Sequence, residues 1–217
     1  MGRRRQCVGD PGTGLVELAL AAGQILDRPT LAELTIHAPL VVATPGTALQ
    51  VVVSDPASDA PAVTIFGRER PDLGSWTMHA EGRLAAARTM AESKVGAPGP
   101  AAQTLPVDDV YAVLTDRGFT YGPAFQAVTA AWREGSDLVA SLDVTGLDLA
   151  SHVVHPVLLD AAMHVLAVGG LGAAETPDSA LVPFVWSVVR VGPAARATRS
   201  PRGCPRRTAW PMPSASL

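Results

Sequence analysis

The sequence predicts an α+β fold in which one motif, a sheet of short strands curled around a buried helix, occurs twice. Three observations carry this prediction. Two nearly apolar helical segments, Pro11 to Gly23 and Pro156 to Gly169, are each opened by proline and closed by glycine. Strand-like runs at near-regular spacing accompany each of them. Between the two sets lies KVGAPGPAAQT, rich in Gly, Ala and Pro and without periodicity, which reads as a linker. The predicted organisation is a basic start at 1–10, a first unit at 11–95, a linker at 96–106, a second unit at 107–192 and a tail at 193–217.

In the first unit, PGTGLVELALAAG predicts a short helix with Thr13 as N-cap and Gly23 as its stop. Glu17 is its one charged residue, so the helix should be wrapped by other elements and not laid on a surface. LAELTIHAPLVV follows with Leu34, Ile36, Ala38 and Leu40 alternating against Thr35, His37 and Pro39, the period of a strand with one buried face. His37 falls on the outer face. Further strands are expected in ALQVVVS, APAVTIFGRE and SWTMHAEGRLAA, separated by the turn-rich SDPASDAP and RPDLGS.

The second unit opens with DVYAVLTDRG, a short helix with Val110, Val113 and Leu114 on one face and Gly118 at its end. FTYGPAFQAVTAAWREGSDLVASLDV reads as two strands meeting at the turn EGSD. HPVLLDAAMHVLAVGG is then a second buried helix, with Pro156 at its first position, Gly169 and Gly170 ending it, and His155 capping or flanking its start.

Bulk properties narrow the class. A 217-residue chain with 47% hydrophobic residues can fill a real core. Apolar runs stop well short of a membrane span, and MGRRRQ is not followed by a signal-peptide core and cleavage site. Cys7 and Cys204 form neither a disulfide framework nor a metal-ligand spacing, which fits a cytoplasmic protein with reduced thiols. Lys94 is the single lysine and asparagine is absent, a composition typical of GC-rich coding sequence. Residues 11–192 carry 9 basic and 19 acidic groups, whereas both ends are basic. That acidic middle argues against nucleic acid as a partner, and the arginines of the tail lack aromatic interleaving or helical period. The tail, SPRGCPRRTAWPMPSASL, is expected to be disordered; an out-of-frame reading of GC-rich DNA would produce the same kind of text as this and as MGRRRQC.

Asp160 and His164 are the ionisable residues inside the second buried helix, four apart and therefore on one face. Taken alone, such a pair reads first as a solvated surface pair. Here the neighbours Leu158, Leu159, Ala161, Ala162, Met163, Val165 and Leu166 leave little room for an exposed stripe. An apolar setting favours the neutral form of a carboxylic acid, which can then serve as a general acid.

At these residues the chain resembles the dehydratase domains of type I modular polyketide synthases. HPVLLDAAMH is similar to the family's second catalytic motif, an Asp followed four residues later by Gln or His. GFTYGPAF resembles its glycine-tyrosine-x-tyrosine-glycine-proline-x-phenylalanine signature, with Phe119 in place of the first tyrosine. PGTGLVELAL, LTIHAPLVV and LVPFVWSVVRV also resemble family segments, in the family's order. The resemblance implies a double hot-dog fold and dehydration of a 3-hydroxyacyl thioester carried on the phosphopantetheine of an acyl carrier protein, with no metal or diffusible cofactor of its own. It implies Asp160 as the acid that protonates the departing hydroxyl and His164 as its orienting partner. Tyr121, Gly122, Pro123 and Phe125 are implied around the substrate, with the Tyr121 hydroxyl a candidate donor. Implied partners are the acyl carrier protein and other synthase domains, with homodimerisation open.

Two departures stand against full activity. The family's first motif is a histidine, three intervening residues, a glycine, four intervening residues and a proline. With that proline at Pro11, the chain has Gly2 where the histidine belongs and Gln6 where the glycine belongs. His79, His152 and His155 do not sit in a matching motif. Beyond VPFVWSVVRV, where the family continues with further strands, the text turns into the basic tail. The leading expectation is thus an inactive dehydratase domain, incomplete at both ends. The alternatives are a non-catalytic acyl or carrier-protein binding module and a structural docking module of the synthase.

Overall fold

The computed structural model describes residues 9–10, 12–42, 46–69, 74–87, 98–169 and 183–192. The chain divides into two compact units, one comprising residues 1–89 with 183–192, the other 90–182 with 193–217. The tail at 193–217 and most of the basic start lie outside the described residues.

The first unit begins with a two-residue strand β1 (Gly9–Asp10) and the helix α1 (Gly12–Ile25), followed by β2 (Thr30–Ile36), β3 (Leu40–Val41), β4 (Ala48–Ser54), β5 (Ala62–Arg68) and β6 (Thr77–Ala85). α1 packs on β2, β4, β5 and β6. Its Leu15, Val16, Ala19 and Leu20 are buried, together with Leu31, Leu34, Val63, Ile65 and Leu84 from the strands. The sheet therefore wraps the helix as its apolar circumference requires.

Both predicted ends of α1 differ from the structure. The helix already runs from Gly12, so Thr13 lies within it, buried, and its hydroxyl has no partner among the described residues. Gly23 does not stop the helix. A Cβ there would stand 2.4 Å from the Arg28 carbonyl oxygen, so the glycine serves close backbone approach. The actual stop is Asp27, in the left-handed region at φ 56, with the Arg28 amide donating to the Gly23 carbonyl at 2.7 Å and the Asp27 amide to the Gln24 carbonyl at 3.3 Å. This is a Schellman ending with aspartate where glycine is usual.

LAELTIHAPLVV, read as one strand, is two. The ladder breaks after Ile36, where the His37 and Ala38 amides both turn to the His79 carbonyl, and resumes as β3, which pairs with β1. His37 is exposed and meets Glu81 at 3.0 Å. The five-stranded sheet has the order β10-β2-β6-β5-β4, where β10 is Val185–Arg190. The sequence reading counted 183–192 with the second unit; β10 instead pairs antiparallel with β2, from Val185 opposite Thr35 to Arg190 opposite Thr30.

The second unit contains β7 (Gln103–Leu105), α2 (Val110–Asp116), β8 (Val128–Glu134), β9 (Asp137–Leu142) and α3 (Pro156–Val168). β7 occupies part of the stretch expected to be linker and pairs with β8. β8 and β9 form the expected hairpin around Gly135, whose φ of 61 suits a tight two-residue turn. α2 ends as expected at Gly118, φ 89, with the Phe119 amide on the Leu114 carbonyl at 2.9 Å. α3 packs on α2, β8 and β9, and Val157, Ala161 and Val165 join Leu105, Ala131 and Leu138 in one core.

Candidate active site

The site is built on α3. Pro156 supplies the fixed φ of a first helical turn, and His155 is the N-cap, its Nδ1 accepting the Val157 amide at 3.3 Å. At the other end the Arg133 guanidinium donates to the Gly169 carbonyl. A helix held at both ends places Asp160 and His164 one turn apart on its buried side. His164 Nε2 and Asp160 Oδ2 are 3.1 Å apart, with side chains only 3% and 12% exposed. His164 Nδ1 is buried and has no hydrogen-bond partner among the described residues.

Aromatic side chains surround the imidazole. The Tyr121 ring lies 4.1 Å from it, centroid to centroid, and the Tyr111 ring meets it edge to face at 5.6 Å. Phe119 stacks on Tyr121 at 6.2 Å and Phe125 flanks Tyr121 at 6.5 Å. Burial and then the nearby Asp160 carboxylate push the Tyr121 phenol well above its ordinary range, with Tyr111 adding to the shift. Tyr111 is raised too, first by burial, against the opposing effect of the Val128 amide bonded to its oxygen. Both phenols thus stay neutral at physiological pH and keep their O–H groups as donors.

The residues expected from the sequence fall into two groups. Asp160, His164 and Tyr121 come together, and Phe125 supports Tyr121 while packing on the core. Gly122 and Pro123 belong to the backbone that leads into the 3-10 turn, which packs on α3. Gly122 is exposed, has φ −69 and has open space where a Cβ would stand; Pro123 starts the 3-10 turn Pro123–Phe125. These two shape the backbone between Tyr121 and Phe125. The sequence reading missed Tyr111, which lies next to the α2 stripe of Val110 and Leu114; its only local signal is a bulky phenol on a short helix.

Other histidines are accounted for separately. His79 is buried in the first unit with Nδ1 3.1 Å from the Ala38 carbonyl. His152 lies 4.5 Å from His155, and its Nδ1 is 2.9 Å from the Asp148 carbonyl. Among the described residues no group of three or more His, Cys, Asp or Glu could hold a metal ion, and no helix is long and apolar enough to cross a membrane.

Two family models match the chain, "Polyketide synthase dehydratase N-terminal domain" over residues 90–209 and "Polyketide synthase dehydratase domain" over residues 8–68. The chain belongs to the polyketide synthase dehydratase family. Among curated relatives, the mycoketide-CoA synthase of Mycobacterium tuberculosis is 39% identical over 205 residues, covering 89% of this chain. Polyketide synthase GfsB of Streptomyces halstedii is 40% identical over 200 residues, covering 87% of this chain. The matched regions are only 5% and 4% of those large synthases. Among solved structures, the dehydratase domain from the terminal module of the rifamycin synthase superposes with a TM-score of 0.75 at 37% identity, covering 86% of this chain and 68% of that one. The erythromycin dehydratase gives 0.75 at 33% identity, covering 85% and 67%. As in these dehydratases, the fold is the α+β double hot-dog, in agreement with the duplication read from the sequence.

Proposed function

We propose that this dehydratase-family chain binds a 3-hydroxyacyl thioester, presented on the phosphopantetheine of an acyl carrier protein in the cytoplasm, and holds the acid half of a dehydration site. The observation that carries the reading is the buried Asp160–His164 contact at 3.1 Å on a helix capped at both ends. In the family reaction a base removes the proton α to the thioester carbonyl. The electron pair forms the Cα–Cβ double bond and the β-hydroxyl leaves, protonated to water by an acid. Asp160 fits the acid role: the imidazole of His164 fixes its carboxyl, and the surrounding apolar residues keep water away. Tyr121, held beside His164, can present its phenol O–H to the substrate. The reaction requires no cofactor or metal.

The other half is where this chain departs. Gly2 stands at the position matched to the family's histidine base. Loss of a general base commonly costs about 10²–10⁴-fold in rate, so binding without appreciable turnover is the expected behaviour of the chain. Other synthase domains are its natural neighbours, and self-association as a dimer belongs to the same reading.

The test uses the full 217-residue chain with a 3-hydroxyacyl pantetheine thioester and with the corresponding carrier protein. Saturable binding with no enoyl product, weakened at least about tenfold by Asp160→Asn, supports the proposal. Enoyl formation that Asp160→Asn abolishes would keep the acid assignment and overturn the inactivity. Absence of binding to either ligand would remove the acyl-site reading altogether.

A further inference from the structure

The Asp160–His164 pair can be no better placed than the imidazole at its centre, and that ring has, among the described residues, one hydrogen bond at Nε2 and none at Nδ1. A histidine with a single polar tether can still swing about its χ2 axis unless packing stops it. Two tyrosine rings lie against it, and their hydroxyls are placed quite differently. Both rings are half-buried. The Tyr121 hydroxyl has no partner among the described residues, and its position follows from its neighbours Phe119 and Phe125. Tyr111 is tied down at its far end: its oxygen accepts the Val128 amide at 3.0 Å and donates to the Phe125 carbonyl at 3.4 Å. One side chain therefore bridges α2, the end of the 3-10 turn and the first residue of β8, while its ring stands nearly perpendicular to the His164 imidazole, at 87° and 5.6 Å. The backbone on which Tyr111 stands is itself anchored by Val110 and Leu114, buried on either side of it in α2.

We propose that Tyr111 is a positioning residue of this site: its hydroxyl clamps the turn that carries Phe125 to β8, and its ring holds the His164 imidazole in register with Asp160. This rests on the reading of Asp160 and His164 as the acid half. The clamp and the edge contact are separable, because the hydroxyl serves the turn and the ring serves the imidazole. Tyr111 differs in this from Tyr121, which meets His164 and its neighbours through its ring.

Three variants of the full chain separate these roles, followed by the ring-nitrogen NMR signals of His164, the amide exchange of Val128 and the affinity for a 3-hydroxyacyl pantetheine thioester. Tyr111→Leu removes the ring edge; the His164 signals should move and broaden, and affinity should fall about threefold to tenfold. Tyr111→Phe keeps the ring; His164 should be unmoved while Val128 amide exchange accelerates about threefold to tenfold. Leu114→Ala weakens the same helix while keeping the Tyr111 ring and should leave the His164 signals in place. If Leu114→Ala displaces His164 as much as Tyr111→Leu does, or Tyr111→Leu leaves it unmoved, the proposal is overturned. Should Tyr111→Leu not fold, Tyr111→Met, of similar length but without an aromatic edge, is read by the same criteria. A parent chain that does not bind the thioester refutes the acyl-site reading, while the His164 signals still decide the role of Tyr111.

Discussion

The helices α1 and α3 follow one plan: each is almost wholly apolar, each has a proline at or just before its first residue, and each is packed against the sheet of its own unit. Their endings differ. α3 is capped by side chains, His155 at the start and Arg133 at the Gly169 carbonyl. α1 ends on its own backbone, in a turn that requires Asp27 in a left-handed conformation and Gly23 against the Arg28 carbonyl. The wrapped helix is thus a generic scaffold. In α3 side chains cap both ends, and the buried face carries the Asp160–His164 pair in mutual contact, whereas α1 buries Thr13 and Glu17 among its aliphatic groups.

Substituting the two helix-end glycines breaks the comparison most sharply. Both Gly23 and Gly169 would place a Cβ 2.4 Å from a neighbour, but for Gly23 the neighbour is a backbone carbonyl and for Gly169 it is the tip of the Leu138 side chain. Gly23→Ala should cost about 1–3 kcal/mol, since backbone must shift, whereas Gly169→Ala should cost less than about 1 kcal/mol once Leu138 changes rotamer. Urea unfolding midpoints of the two variants measure the difference, and equal losses would contradict it.

A smaller effect is expected at the α3 cap. His155→Ala should cost about 1 kcal/mol at neutral pH, while His155→Asn, which preserves a capping acceptor, should cost less. Burial, followed by the proximity of His152, lowers the His155 pKa in the folded protein, and Asp148 partly opposes this. Because the folded-state value lies below the ordinary imidazole value, the cap stabilises fully above that ordinary value and its contribution fades as pH falls through the depressed one. The parent and His155→Ala should therefore converge in stability on acidification. A gap that stays constant with pH would show that the imidazole is not the cap.

The smallest change sharpens the comparison from the α1 side. Asp27→Gly relieves the left-handed aspartate at φ 56 and should raise stability by about 0.5–1 kcal/mol, read as a higher unfolding midpoint. A loss would mean that the Asp27 side chain contributes something beyond its backbone angle.

Much of the second unit was legible because its signals are local. Pro156, Gly118 and the turn EGSD act through their own φ angles, and the spacing of Asp160 and His164 puts them on one helix face whatever surrounds it. Departures arose where a distant segment decides. The stretch Gln103–Leu105 reads as linker until β8 offers it hydrogen bonds. The apolar run of β10 reads as part of the second unit, yet it pairs with β2 at the edge of the first sheet, leaving Val185 47% and Val188 51% exposed. Asp27 carries no glycine signal, so the end of α1 was placed at Gly23.

By itself, then, the sequence determined the duplicated helix-in-sheet plan, the hairpin and capped helix of the second unit, and the placement of Asp160 beside His164. Periodicity, proline and glycine act within a few residues of their own position, so no knowledge of the rest of the chain is needed. Only the tertiary structure decided which strand lies beside β2, that Gly23 serves close approach, and that Tyr111, more than fifty residues from His164 in a different helix, meets its ring. Those outcomes depend on contacts closed through space between separately formed elements, and a linear pattern does not specify the partner at the far end of such a contact.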